Sequence, residues 1–363
     1  MKIGIDARPL SHELTGIGRY TLNVLTELFD LKQDVEWYLY SDRPLLVDFE
    51  LPNVIIRIGR SGPAFTSTLF SQFVFPLWAL KDKLDTFWSP RHHLPLTMAA
   101  IPNMRKVVTI HDIVWKKHPD TMSKFGLILE KLLFTPSVHI ANAVITVSDF
   151  TKSELSDELA GIRDKTHTIP LQSFISTKAM ETEYPRYTKG QYILFVGTLE
   201  PRKNLDNLLK AFQKISRTHN GLKLIVVGKD GWGDVKISDQ AKELNIEDKV
   251  IVTGFISDEE LLSLYQHCDI LAMPSLYEGF GLPALEALSL KKKVVVSKFN
   301  AIAEFSGDNL FICDLHHEAI ARSIEEALNA SPKQLANVGN DWSNIAARTF
   351  TILESEDSRV SLK

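Results

Sequence analysis

The chain has 363 residues, 44% of them hydrophobic and 24% charged, which is more than one core ordinarily organises and predicts two globular domains. Its 41 Lys plus Arg against 45 Asp plus Glu leave a formal net charge of -4, and residues 1–172 balance at 19 against 19, so no segment is basic enough to make nucleic acid a main partner. Cys268 and Cys313 alone make neither a disulfide framework nor a zinc site, MKIGIDARPL lacks the layout of a secretory leader, and no run reaches the ~18 apolar residues of a membrane span; the expected location is cytoplasmic.

In the first half, the short apolar runs Ile3–Ile5, Trp37–Tyr40, Val54–Ile58, Thr86–Trp88, Val107–Ile110 and Ala143–Val147 predict strands, with helices over Gly18 to Leu28 and Thr121 to Ala141. The stretch Thr68 to Leu80, with Phe70, Phe73, Phe75 and Trp78 interrupted by Gln72 and Pro76, reads as a buried helix. A second reading of the aromatic cluster Phe65 to Trp88 is contact with the inner face of the cytoplasmic membrane. Residues 173–190, SFISTKAMETEYPRYTKG, lose periodicity and read as a linker.

The second half repeats the alternation. Strands are predicted at Tyr192–Val196, Lys223–Val227, Val250–Thr253, Ile270–Met273 and Val294–Val296, and helices at Asn204–Ser216, Ser238–Leu244, Asp258–His267 and Leu282–Leu290. Ser257 is placed as an N-cap ahead of three acids, and Pro283 falls in a first turn. A final helix around residues 343–358 has nothing after it to pack under and is expected to cross back to the first domain. The fold class that follows is α/β, with Rossmann-like parallel-sheet domains at 1–172 and 191–342 facing each other across a cleft where ligand binds.

Several chemistries are disfavoured by what is missing. The chain has no G-x-x-x-x-G-K-[ST] loop, H-E-x-x-H, G-x-S-x-G or Asp-x-Asp triplet. Gly16-Ile17-Gly18 is a poor dinucleotide fingerprint, lacking a third glycine. The most informative segment is LAMPSLYEGFGLPALEALSL, Leu271 to Leu290, in which Gly279-Phe280-Gly281 opens a helix at Leu282. Such glycines let backbone N–H groups approach a phosphate. Glu278 and Glu286 beside an anion site make sense if the ligand also offers sugar hydroxyls; otherwise they merely favour the helix dipole. Gly197 ends a strand, and the following loop presents Arg202 and Lys203, which could offset a departing diphosphate or be solvated surface. His111-Asp112 follows the Val107–Ile110 strand and is either structural or functional. Gly16-Ile17-Gly18-Arg19-Tyr20 offers a second glycine-lined helix start.

Seven segments in order resemble the retaining glycosyltransferases of family 4, which have the GT-B fold: TGIGRY (Thr15–Tyr20), FWSPRHHLPL (Phe87–Leu96), VVTIHD (Val107–Asp112), ITVSDFTKSEL (Ile145–Leu155), ILFVGTLEPRKN (Ile193–Asn204), VTGFISDEEL (Val252–Leu261) and PSLYEGFGLPALEAL (Pro274–Leu288). The resemblance implies a sugar-nucleotide donor held mainly by the second domain. Arg202 and Lys203 would hold the diphosphate and Glu286 the ribose. Glu278, with the backbone at Phe280, Gly281 and Leu282, would hold the sugar and phosphates. Backbone near Lys229, Gly254, Phe255 and Ile256 would meet the base, and Gly197 would also lie on the donor side. His111 would lie against the donor sugar, with Gly16 and Gly18 lining the other side of the phosphates.

Similar enzymes need no metal and retain the anomeric configuration through front-face attack assisted by the leaving phosphate, so neither metal nor other cofactor is expected. The stretch from Arg8 through His92-His93 resembles enzymes building bacterial surface polysaccharide, which implies transfer of a hexose, mannose from GDP-mannose, to a glycan or lipid-linked saccharide. The alternatives are a UDP-sugar donor, a non-catalytic sugar-nucleotide sensor and a GT-B-type sugar-nucleotide epimerase. Two departures stand out. Ser289-Leu290-Lys291-Lys292-Lys293 replaces the family's turn of Gly and Pro, and Ile169-Pro170 is not followed by its usual glycine.

Overall fold

The computed structural model describes residues 1–14, 16–60, 64–175, 182–187, 189–233, 236–304, 307–331 and 341–355. Thr15 of the TGIGRY segment, the Phe65 side chain, linker residues 176–181 and 188, and residues 356–358 of the terminal helix lie outside the described residues. The chain divides into one unit of Met1–Ile113, Phe125–Leu171 and Asp341–Lys363 and another of Val114–Lys124 and Gln172–Asn340.

In the first unit, β1 (Lys2–Asp6), β2 (Glu36–Ser41), β3 (Val54–Ile58), β4 (Thr86–Ser89), β5 (Arg105–Ile110), β6 (Ala143–Thr146) and β7 (Thr166–Thr168) form a parallel sheet in the order β3-β2-β1-β4-β5-β6-β7. Ile5 on β1 lies opposite Leu39 on β2 and Trp88 on β4. All three are fully buried, as a sheet covered on both faces requires of its central strands. Helices α1 (Gly16–Leu31), α2 (Ala64–Asp82), α3 (Val114–Lys117), α4 (Lys124–Ile140) and α5 (Asp149–Glu158) occur in this half of the chain. The chain steps from β1 to β2 in one direction across the sheet and from β3 to β4, β5, β6 and β7 in the other. Right-handed crossovers therefore place α1 on one face and α2, α4 and α5 on the opposite face.

Helix α2 runs through Pro76 rather than stopping there. Proline removes one N–H and frees the carbonyl of Gln72 four residues earlier; the Thr97 hydroxyl donates to that carbonyl. The aromatic cluster is mostly core. Phe75 and Phe87 are buried and pack with Tyr40 and Trp78, whereas Phe73 is exposed.

In the second unit, β8 (Tyr192–Val196), β9 (Lys223–Val227), β10 (Val250–Gly254), β11 (Ile270–Met273), β12 (Lys293–Ser297) and β13 (Leu310–Cys313) are ordered β10-β9-β8-β11-β12-β13, again all parallel. The helices are α6 (Leu205–Ile215), α7 (Ile237–Glu243), α8 (Asp258–His267), α9 (Leu282–Ser289) and α10 (His317–Asn329). Ser257 caps α8 by accepting from the Glu260 N–H, and Pro283 sits in the first turn of α9. The sequence reading names no element at β7, β13, α5 or α10. Both strands are short edges, where composition departs least from that of a loop.

Helix α11 (Trp342–Glu354) belongs to the first unit and packs on α1. Its last carbonyls find donors there: Thr86 Oγ1 to Leu353 O at 2.9 Å and Arg105 Nε to Ile352 O at 2.9 Å. Both sheets reverse strand order beside their first strand, between β1 and β4 and between β8 and β11. Loops leaving the carboxyl ends of strands at such a switch point are where open α/β sheets bind ligands.

Candidate active site

At the switch point of the second sheet, the loop after β8 meets the loop after β11. Pro201–Lys203 forms a 3-10 turn, and Asn204 follows in a left-handed conformation, φ 58°. The buried Asn204 side chain donates through Nδ2 to Pro274 O at 3.1 Å and Leu315 O at 2.8 Å, while Leu276 N donates to Arg202 O at 2.8 Å. These bonds tie the two loops together. Beside them, Gly197 N donates to Val227 O and Gly228 N to Gly254 O. A Cβ on Gly228 would fall 1.8 Å from Gly197 O, so the approach of these strand ends needs glycine there.

The result is an ion cluster. Lys203 Nζ lies 2.5 Å from Glu278 Oε1, and Arg202 Nη1 lies 3.0 Å from Glu278 Oε2. The same Arg202 donates to Tyr277 O at 2.8 Å, and its Nη2 lies 2.6 Å from Glu200 Oε1. Burial by itself would raise the Glu278 pKa; the charges of Arg202 and then Lys203 override it and hold the carboxyl at about 2. Two cations face two carboxylates, so the cluster is neutral as it stands. Glu278 is fixed through its backbone as well, its N–H donating to Phe299 O at 3.0 Å and its carbonyl accepting from Ala301 N at 3.2 Å.

Gly281 caps α9 with φ 87°, and a Cβ there would fall 2.7 Å from Asn300 Oδ1 and 2.9 Å from Met273 Cε. Phe280 beside it is buried. Glu286, in the second turn of α9, is also buried and accepts from the Tyr265 hydroxyl on α8 at 2.6 Å. No acid occupies the first turn of α9. Glu278 pairs with side-chain cations and Glu286 lies too far along the helix, so neither acid fits the helix-dipole alternative.

In the first unit, His111 directly follows β5. Its Nε2 lies 2.8 Å from Pro90 O, and since a carbonyl only accepts, Nε2 carries the proton and Nδ1 is left as an acceptor. Burial, and then the neighbouring His92, lower the ring pKa to about 4. The backbone N–H of His111 donates to His92 Nε2 at 3.2 Å. This leaves the His92 proton on Nδ1, 3.5 Å from Glu130 Oε1, while His93 Nε2 lies 3.1 Å from Glu130 Oε2. Gly16 is exposed at the start of α1. Gly18 is buried, and a Cβ would approach Pro9 O to 3.0 Å, so close packing is reason enough for that glycine.

The residues singled out in sequence thus fall into separate groups. Arg202, Lys203 and Glu278 share one cluster, with Gly197 against Lys203 and with Phe280, Gly281 and Leu282 just along the chain from Glu278. Glu286 has its own partner on α8. Gly254 ends β10, where Ile256 is buried and Phe255 exposed. His111, Gly16 and Gly18 belong to the first unit. Sequence reasoning misses Glu200, Asn204, Tyr265, Asn300, His92 and Glu130 as supporting groups. Glu200 and Asn204, flanking the Arg-Lys pair, and His92, within the FWSPRHHLPL segment, carried a local signal. Among the described residues, the only grouping of potential metal ligands is His316, His317 and Glu318, sequence neighbours at the start of α10.

Two family models match the chain in succession. The one described as Glycosyltransferase Family 4 covers residues 14–171, and the one described as Glycosyl transferases group 1 covers residues 176–344. O-antigen chain mannosyltransferase B of Escherichia coli is 28% identical over 96% of this chain and 98% of its own. O-antigen chain mannosyltransferase RfbU of Salmonella typhimurium is 26% identical over 78% of each. Among solved structures, WaaG, a glycosyltransferase involved in lipopolysaccharide biosynthesis, superposes with a TM-score of 0.68 at 14% identity, covering 98% of this chain and 96% of its own. Sucrose-phosphate synthase from Thermosynechococcus elongatus gives 0.69 at 19% identity, covering 96% and 95%. At such identities the structural likeness speaks for the fold.

Proposed function

Because the chain belongs to the family 4 and group 1 glycosyltransferases, with their GT-B fold, we propose that it transfers mannose from GDP-mannose to a saccharide of a growing surface polysaccharide, retaining the anomeric configuration without a metal. The observation that carries this reading is the cluster of Arg202, Lys203 and Glu278 at the switch point of the second sheet. Two cations held on fixed loops suit a leaving diphosphate, because they need no reorganisation as charge develops. Glu278, an acceptor only, suits a sugar hydroxyl. Glu286, oriented by Tyr265, suits the ribose hydroxyls. His111, neutral with Nδ1 as acceptor, is assigned to another hydroxyl of the donor sugar. No residue is assigned as a nucleophile; the leaving phosphate assists attack on the same face of the sugar. Mannose is supported by the names of the two O-antigen relatives, and a lipid-linked acceptor at the inner face of the cytoplasmic membrane fits the same reading.

The test pairs binding with product analysis. GDP-mannose at 100 times its dissociation constant should add about 2.7 kcal/mol to stability, mannose should appear on acceptor with its donor configuration, and EDTA should leave the rate unchanged. Stabilisation by UDP-sugars instead would replace the donor, and a rate abolished by EDTA and restored by Mg²⁺ or Mn²⁺ would remove metal independence. An altered sugar on intact nucleotide would indicate an epimerase. Binding with neither transfer nor hydrolysis would indicate a sensor.

A further inference from the structure

We propose that Glu130 on α4, acting through His92, is a positioning residue for His111, and that a second proton on His92 releases the turn it holds. The proposal rests on the reading of His111 as a partner of the donor sugar for its purpose, while the relay is argued from the side chains themselves. His111 is the first residue beyond β5, and the chain leaves this unit after Ile113. Two of its bonds go to the segment after β4: the ring donates to Pro90 O at 2.8 Å, and the backbone N–H donates to His92 Nε2 at 3.2 Å. A third comes from α5, where Thr151 Oγ1 donates to His111 O at 3.4 Å.

The segment that receives the first two bonds is itself fixed. Ser89 Oγ lies 3.0 Å from Arg91 O and 2.8 Å from His93 O, and Leu94 N donates to Ser137 Oγ on α4 at 3.0 Å. The His92 ring stands between those of His111 and Phe134, at centroid distances of 5.9 and 5.7 Å. Glu130 lies one helical turn before Phe134 on α4, so both reach the same imidazole, with Glu130 Oε1 3.5 Å from His92 Nδ1.

Proton placement makes this a relay. A backbone N–H only donates, so His92 must present its Nε2 lone pair to His111 and carry its proton on Nδ1, toward the carboxylate. Glu130 thereby selects the tautomer that can hold His111. The same carboxylate favours a second proton on His92, and then an Nε2–H would face the His111 N–H and their bond would be lost. The charged and titratable groups facing His92 are Glu130 from α4, His111 and Asp112 from the turn after β5, and Arg91 and His93 beside it in the chain. Burial is the largest effect on His92 and lowers its pKa, but the charge and hydrogen bond of Glu130 with the charge of Asp112 raise it above the usual value near 6.5. Burial would raise the Glu130 carboxyl, but His92 and then His93 hold it well below the usual carboxylate range, so it stays ionised while His92 titrates. The relay is intact above the His92 pKa and lost below it.

Mannose transfer from GDP-mannose, followed against pH, tests this. Wild-type turnover should fall through an acid limb above pH 6.5. Glu130→Gln keeps an oxygen for the Nδ1 proton and removes the charge, so burial should carry the limb below pH 6.5, a displacement of about one pH unit or more. His92→Ala should lose turnover on the order of tenfold at every pH, from one missing hydrogen bond. His92→Gln puts an amide oxygen in place of Nε2, so it should restore that turnover and abolish the limb. Histidine-selective ¹⁵N spectra read the relay without activity: above the limb His92 should be the Nδ1–H tautomer, and the His111 backbone amide should shift as His92 titrates. Thermal melts should confirm that the variants fold. A limb unmoved in both Glu130→Gln and His92→Gln, or His92 found as Nε2–H, would overturn the proposal. If His111→Asn lowers turnover while those two variants behave as wild type, the proposal alone fails. If His111→Asn leaves turnover unchanged, the reading of His111 fails and takes the proposal with it. Without any turnover of GDP-mannose the donor reading fails, and the spectra still accept or reject the relay.

Discussion

Glu278 pairs with two cations, the buried Lys203 and the half-buried Arg202, that the proposed mechanism needs for a diphosphate. Glu278→Gln should therefore cost about 3 kcal/mol in the ligand-free protein, because Arg202 and Lys203 lose a buried counterion. GDP, itself anionic, should bind this variant more tightly than wild type, while turnover with the sugar nucleotide falls on the order of 10–100-fold. Calorimetry with GDP and steady-state rates separate the two effects; unchanged affinity and unchanged turnover would leave the cluster purely structural. Glu286→Gln should instead raise KM more than it lowers kcat, because ribose hydroxyls lie away from the breaking bond.

His111 makes a prediction in pH. Its folded-state pKa of about 4 lies below the usual histidine value near 6.5 because of burial first and His92 second. Between those values the unfolded chain binds a proton that the folded one refuses. The contribution is complete above pH 6.5 and lost as pH falls toward 4, on the order of 3 kcal/mol in all. His92 shifts the opposite way: burial is the largest effect on it and lowers it, but the charge of Glu130, its hydrogen bond and the charge of Asp112 together raise it further than burial lowers it. The measurement is accordingly a difference: denaturant midpoints of wild type and His111→Asn at matched pH should converge as pH drops from 6.5 to 4. A constant gap would show that the His111 ring is not held neutral by the fold.

At the scale of elements, the Lys291 turn accounts for one departure from the family pattern. Helix α9 ends with Lys292 N donating to Ala287 O at 2.9 Å and Lys291 N to Leu288 O at 2.8 Å, the paired bonds of a Schellman motif. Its left-handed residue is Lys291, φ 60°, where glycine is the usual choice. Lys291→Gly should stabilise the protein by up to about 1 kcal/mol without touching donor kinetics. A lower denaturation midpoint would mean that the lysine side chain supports the turn. Asn204 is left-handed too, but its amide also holds the loops after β8 and β11. Asn204→Gly keeps the conformation and deletes those bonds, so it should lose about 1–3 kcal/mol and weaken donor binding. Strands buried on both faces were legible as apolar runs. The edge strand β7, Thr-His-Thr, was not, because its identity rests on pairing with β6.

At the scale of the molecule, α11 belongs to a unit whose other helices and strands precede it by nearly half the chain. It inserts Ile345, Phe350, Ile352 and Leu353 as buried side chains and is held by Thr86 and Arg105. A chain ending at Asn340 should lose stability in the first unit by several kcal/mol, since each large apolar side chain contributes about 1.5–3 kcal/mol. GDP binding, if seated in the second unit, should survive the truncation. Loss of both together in a folded protein would place the nucleotide site elsewhere.

The sequence by itself determined the alternation of strands and helices and the order of the motifs, because short-range periodicity records how each segment is buried. It also marked Arg202, Lys203, Glu278 and Glu286 as chemically unusual. Only the tertiary structure decided their partners: Glu278 meets Lys203, 75 residues away, and its neighbour Arg202, and Glu286 meets Tyr265 on a neighbouring helix. It also decided which side of α2 faces out, since that helix is apolar nearly all round and only the sheet beneath it covers one side. The physical reason is the same in each case. Local pattern sets whether a residue is buried, whereas strand order and loop placement set what it is buried against.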